Sequence, residues 1–202
     1  MTNSSFHRPV SAALLPVLVA TIAVFPLQAQ NGSVSKAREA PSARVVVLPV
    51  ALYNAQANVQ EASDTSQAEL STQVLTAKLR ELLADQLIAG ERVAAVASSP
   101  AAMEAAARQP CNVIVSCVRQ VAKALGAPWV VMAKVSKTSN LIWLFTGQLI
   151  HAPTGEIILD DSTELKGETA AMVRAGSRIF AERVARTVRR GGTVTNFPNH
   201  TP

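Results

Sequence analysis

The sequence predicts an α/β (α+β) domain: one mixed sheet of about five strands with long helices packed on it, in the order β-α-β-α-α-β-β-β-α. Three observations carry this. Residues 129–165 read as three consecutive strands. A valine-rich strand at 44–52 precedes a helix with a single leucine stripe. A second long amphipathic helix, 169–189, closes the domain.

Arg44 to Leu52, RVVVLPVAL, is the first strand, and its valines suit a central, buried position. Pro49 lacks a ladder donor, so the strand ends or bulges there. Residues 53–64 read as a loop rich in Asn, Gln and Ala. Ser66-x-x-Glu69 has the form of a capping box. The helix behind it carries Leu75, Leu79, Leu82, Leu83 and Leu87 at spacings of three and four, with Lys78, Arg80, Glu81 and Asp85 off the stripe. Gly90 ends it. Arg92 to Ala97, RVAAVA, reads as a short second strand. Ser99 before Pro100 caps an alanine-rich helix to about Arg108. Pro110-Cys111 opens a loop or first turn, and Cys117 to Leu125 is helical, stopped by Gly126.

The run WVVMAKVSKT at 129–138 is rich in β-branched residues and free of glycine and proline. Its two-sided apolar start suits cover on both faces, and Lys134, Ser136, Lys137 and Thr138 read as its exit to solvent. After a bend at Ser139-Asn140, Leu141, Trp143, Phe145 and Leu149 alternate with Thr146 and Gln148. Ala152-Pro153-Thr154-Gly155 is the next turn. Ile157, Leu159 and Leu165 then alternate with Glu156, Asp160 and Glu164. So short a connection makes these strands antiparallel neighbours. In the last helix Val173, Phe180, Val184 and Val188 form the buried face.

The first 29 residues read as a cleavable export signal: His7 and Arg8, an apolar core at 12–25, Pro26, then small residues ahead of cleavage after Ala29. The apolar core is shorter than the roughly 20 residues that span a bilayer. Removing 29 of 202 residues leaves 173, enough for one domain at 44–190, between a flexible lead at 30–43 and a polar tail at 191–202. Loss of Arg8 lowers the formal net charge from +5 to +4, which permits an acidic partner without demanding one. Export and an aromatic content of 4% argue against nucleic acid.

Three segments carry a resemblance: VVVLPVALYN, ELSTQVLTAKLRELLADQLIAGERVAAV, and the run from AKALGAPWVVMAKVSK to HAPTGEII. The first two resemble the TolB N-terminal domain and CsgG-like α/β domains. The third, with a cysteine pair ahead of Leu125-Gly126-Ala127, then Lys134-Val135-Ser136-Lys137 and Ser139-Asn140-Leu141-Ile142, resembles the secreted proteobacterial family of unknown function numbered 3280 and 2380. The resemblance spans about Arg44 to Val188. It implies a periplasmic accessory or binding domain.

Cys111 and Cys117 are the only cysteines, and an even count in an exported chain argues for a disulfide. Six residues apart on one helix they would face different ways, so closure requires Cys111 in the loop before the helix. Free thiols and a reactive pair are the alternatives; the Cys-x-x-Cys spacing of redox motifs is missing. His151 is the one histidine of the domain, too few for a triad or zinc site. Asp160 and Glu164 share a strand face and read as a charged edge.

Two groups of residues are candidates for partner binding. Lys134, Ser136, Lys137, Ser139 and Asn140 gather at the first bend of the meander. Arg174, Arg178, Arg186 and Arg190 form a basic stripe on the last helix, open to an acidic partner, to anionic lipid headgroups, or to internal pairing through Arg178–Glu182–Arg186. The expected function is a non-enzymatic periplasmic binding domain with a protein partner or small ligand in the envelope and no cofactor or metal. The alternatives are a thiol–disulfide factor using Cys111 and Cys117, and an oligomerising structural subunit.

Overall fold

A computed structural model describes residues 43–54, 62–139 and 142–192. The expected leader, almost all of the lead at 30–43 and most of the tail lie outside them.

Among the described residues the sheet has five strands: β1 (Val45–Val47), β2 (Ala51–Asn54), β3 (Trp129–Lys137), β4 (Trp143–His151) and β5 (Glu156–Leu165). The order is β1-β3-β4-β5, with β2 also paired to β3. Both short strands run parallel to β3, Val45 opposite Trp129 and Ala51 opposite Lys134. The three residues 48–50 therefore oppose only Met132 and Ala133, so the chain bulges at Pro49, as its missing donor requires. The bulge is held from both sides. Leu48 N–H donates to the Val131 carbonyl, Val50 N–H to Thr72 Oγ1, and Asn112 Nδ2 to the Pro49 carbonyl. The β3–β4–β5 meander is antiparallel throughout, with a register shift beside Leu149/Ile150. That shift brings Ile158 and Leu159 together onto the core, where strict alternation would separate them.

Among the described residues five α-helices flank the sheet: α1 (Ala62–Leu83), α2 (Gly90–Ala97), α3 (Pro100–Ala105), α4 (Val115–Leu125) and α5 (Thr169–Arg189). One face of β3, with Trp129, Val131, Ala133 and Val135, packs with Leu75, Leu79 and Leu83 of α1 and Val173, Phe180, Val184 and Val188 of α5. The buried Ser71 and Ser177 hydroxyls meet at 2.7 Å and tie the two helices together. The opposite face, with Val130, Met132 and Ile150, packs with Val93, Ala102, Val118, Val121 and Leu125 of α2, α3 and α4.

Three expectations are corrected. RVAAVA belongs to helix α2, and the fifth strand is β2, cut from the first strand by the bulge. The observed order is therefore β-β-α-α-α-α-β-β-β-α, with β1 and β2 reaching their parallel partner, β3, only after four helices. Helix α1 begins before Ser66, whose hydroxyl donates back to the Ser63 carbonyl, so Ser66 is no cap. The leucine helix ends at Leu83 and a 3₁₀ turn, Ala84–Gln86; Gly90 opens the next helix. Elsewhere the punctuation reads true. Ser99 Oγ accepts the Ala102 N–H, and Gly126 stops α4 with a left-handed φ of 62°.

Gly147 on β4 faces Phe180, whose ring lies 5.6 Å from that of Phe145. A Cβ at 147 would sit 2.5 Å from the Phe180 ring. Gly147→Ala should cost about 1–3 kcal/mol by overpacking. Urea unfolding checks this, and an unchanged midpoint would show that the ring yields freely.

Candidate functional site

Helices α2 to α4 cover only the start of their sheet face. Further along, the same face presents Lys134 from β3, Thr146 and Gln148 from β4, and Asp160 from β5. These residues floor a groove of about 440 Å³, walled by Tyr53 of β2 and by Asn112 and Val113. Among the described residues its walls are strands and the 3₁₀ turn Cys111–Val113. A second hollow of about 480 Å³ lies on the other side of β2, against Thr65, Glu69 and Gln73 of α1. Ala51, Leu52, Asn112 and Val113 border both. Among the described residues β2 is thus an outer strand with a depression on each flank. Tyr53 is 59% exposed and Val113 45%. The Thr146 hydroxyl is buried with no hydrogen-bond partner among the described residues, a condition that favours a ligand able to supply one.

The wall of the groove is stapled. Cys111 and Cys117 form a disulfide with a Cα–Cα distance of 5.3 Å. Cys111 sits in the 3₁₀ turn ahead of α4, off the helix, as closure requires. Cys117 is fully buried. The bridge fixes the turn whose Asn112 holds the Pro49 carbonyl.

The meander-bend candidates are divided by the pleat. Lys134 is exposed in the groove. Ser136, on the same face, is buried rather than solvent-facing. Lys137 is also buried, on the opposite face, where its ammonium lies 2.9 Å from Asp64 Oδ1 of α1. The two side chains are 6% and 2% exposed. Asn54 Nδ2 donates to Asp64 Oδ2, and Lys137 Nζ stands 5.8 Å from the centre of the Trp143 ring. This cluster joins the ends of β2 and β3 to the first turn of α1, so it positions the β2 edge. Ser139 Oγ accepts the Ile142 N–H inside the bend. Asn140 lies outside the described residues.

Arg174, Arg178 and Arg186 are exposed on α5, which packs on the other side of the sheet, so they do not join the groove. Among the described residues the ion pair of α5 is Arg183 with Asp161 at 2.8 Å, and none joins Glu182 to its arginine neighbours. Arg189 donates to the Leu82 carbonyl and tethers α5 to α1. His151 Nδ1 is bonded to Thr154 Oγ1, and its ring packs 5.1 Å from Trp129. Tyr53, Asn112, Val113 and Asp64 were not singled out as site residues from sequence. A lone tyrosine beside a proline-broken strand is the signal that points to Tyr53.

The family model described as a protein of unknown function, DUF3280 (DUF2380), matches residues 43–184. The chain belongs to this DUF3280 family. It is the family that the cysteine pair and the 129–155 run resemble in sequence. No curated protein matches. Among solved structures, this DUF3280 chain is similar to the LpoB C-terminal domain from Salmonella enterica at 15% identity, covering 64% of this chain and 87% of that one with a TM-score of 0.42. It is similar to the PelC dodecamer from Paraburkholderia phytofirmans at 11% identity, covering 69% and 86%, TM-score 0.41. TolB from Acinetobacter baumannii matches at 13% identity over 73% of this chain and 28% of that one, TM-score 0.40. Among the described residues no helix is long and apolar enough to cross a membrane.

Lys137→Ala would strip the ammonium from a carboxylate that stays buried, at a cost of about 3 kcal/mol or more. The paired replacement Lys137→Met with Asp64→Leu should recover most of that loss. A double-mutant cycle by urea unfolding measures both, and additive losses would deny the coupling.

Proposed function

We propose that this domain is a non-enzymatic, exported accessory module of the cell envelope that binds an extended segment of a partner protein along β2. The observation that carries the reading is the half-covered sheet face, with a hollow on each flank of an outer strand. An extended segment can add main-chain hydrogen bonds at such an edge while its alternate side chains enter the two hollows. Tyr53 and Val113 offer apolar anchors, and Lys134 and Asp160 offer charges of both signs. The groove is built on strands and a disulfide-fixed turn, so little of it needs ordering on binding.

Export is supported by the apolar leader at 12–25 and by a disulfide, which persists in oxidising compartments. A non-catalytic role is supported by how the reactive groups are engaged: both cysteines in the bridge, and His151 bonded to Thr154 against Trp129.

Photo-crosslinking from position 53 in intact cells tests the reading. Adducts with one protein partner are expected from Tyr53 and Val113, and none from Arg174 or Arg178. Adducts from α5 alone would move the interface to the basic stripe. Tyr53→Asp should cut capture at least fivefold without moving the unfolding midpoint, since the side chain is largely exposed.

The same reading makes the cysteine pair structural. Free-thiol titration of the folded protein should find no thiol before or after mild reductant. Ready reduction and reoxidation would favour a thiol–disulfide role instead. Replacing both cysteines by serine should cost about 2 kcal/mol in the chain-entropy model for so short a loop.

A further inference from the structure

A third depression is larger than the two beside β2, and its chemistry differs from that of the groove. It lies at the opposite end of β3, between the side of α4 that carries Ser116, Arg119 and Lys123 and the β4–β5 turn, with a volume of about 880 Å³. Among the described residues its charged lining is Arg44, Arg119 and Lys123, and no carboxylate shares it. We propose that this cleft binds a phosphate group, carried either by an anionic lipid headgroup or by a soluble phosphate compound.

The two arginines are fixed in place by neutral partners. Arg119 donates from Nε to the Ala152 carbonyl at 2.8 Å and from Nη2 to the Pro153 carbonyl at 2.9 Å. Arg44 donates from Nη2 to the Gly126 carbonyl at 2.8 Å. Carbonyl oxygens orient a guanidinium without cancelling its charge. Among the described residues none of the three cations takes part in an ion pair. The cleft therefore holds three uncompensated positive charges, two of them pre-oriented, with Nη1 of each arginine and the Lys123 ammonium still able to donate.

Two glycines make room for this arrangement. A Cβ at Gly126 would stand 2.6 Å from Arg44 Nη2, and one at Gly155 would stand 2.9 Å from Arg119 Nη1. The negative end of the α4 dipole is the one feature opposed to an anion. It amounts to about half a charge. Its carbonyls are also occupied, since Gly126 N–H donates to Lys123 O and Ala127 N–H to Ala122 O. Three full charges outweigh it. Planar guanidinium forks beside an ammonium are the donor set that phosphate oxygens favour, and the volume is in the range of small-molecule sites.

Two probes separate the sources: inorganic phosphate by calorimetry, and vesicles of phosphatidylcholine with or without phosphatidylglycerol by co-sedimentation. Binding to at least one is expected at low salt. The Lys123 side chain is exposed and makes no intramolecular hydrogen bond or ion pair among the described residues, so Lys123→Glu should keep the fold. That variant should weaken binding at least tenfold. Lys166→Glu, a charge change of equal size on the rim of β5, should alter it less than twofold. Capture by phosphatidylglycerol vesicles alone assigns a lipid headgroup, and a response to inorganic phosphate alone assigns a soluble compound. Silence from both probes, or equal loss in the two variants, overturns the proposal. Neither outcome bears on the β2 groove.

Discussion

Strand β3 must be covered on both faces, and that requirement places nearly everything else. Val130, Val131 and Val135 are wholly buried, and the first two point to opposite sides of the sheet. The strand is hydrogen-bonded along both edges as well, to β1 and β2 on one side and β4 on the other. Helices α1 and α5 close one face along its length. Helices α2 to α4 close only the beginning of the other. The groove beside β2 is the portion of sheet that this division leaves uncovered. The charged cleft forms where the covering helix α4 ends against the β4–β5 turn.

Most of the fold was readable because its patterns are long. The alternation of β4, the stripe of α5 and the glycine stop of α4 each repeat or sit at a position with one physical meaning. RVAAVA was misread because six residues of valine and alanine suit a strand and a helix equally, and alanine favours the helix. Val93 is the only buried residue of α2, so there was little periodicity to find. The lost strand reappears at the end of RVVVLPVAL and runs on to Asn54, into the stretch read as loop. Pro49 announced an interruption there, but local pattern could not say that pairing would resume after one extra residue. Ser66 resembled a cap because serines bond to nearby backbone in several ways, and here it bonds backwards within the helix.

The candidate site was legible only in part, for a different reason. Lys134 and Lys137 are three residues apart, so the pleat places them on opposite faces. Parity alone puts Lys137 in line with Val131, Ala133 and Val135. What the sequence could not disclose is the carboxylate that makes this tolerable, since Asp64 lies 73 residues away. The groove and the cleft have the same difficulty. Tyr53 comes to line one hollow with Asn112 and Asp160, and Arg44 another with Arg119, only after the sheet has assembled. Each of these residues is unremarkable in its own neighbourhood.

The hydroxyl contact between Ser71 and Ser177 has a consequence for the order of assembly. Its partners are 106 residues apart, and β1 cannot find β3 before more than eighty residues have been threaded between them. Such a topology defers its rewards, so folding should be slow beside a helical bundle of this size. A polypeptide emerging from its amino end would expose the leucine stripe of α1 until the carboxyl-terminal helix arrives to seal it. For a chain read as exported, that delay would keep the polypeptide open for longer before its core closes.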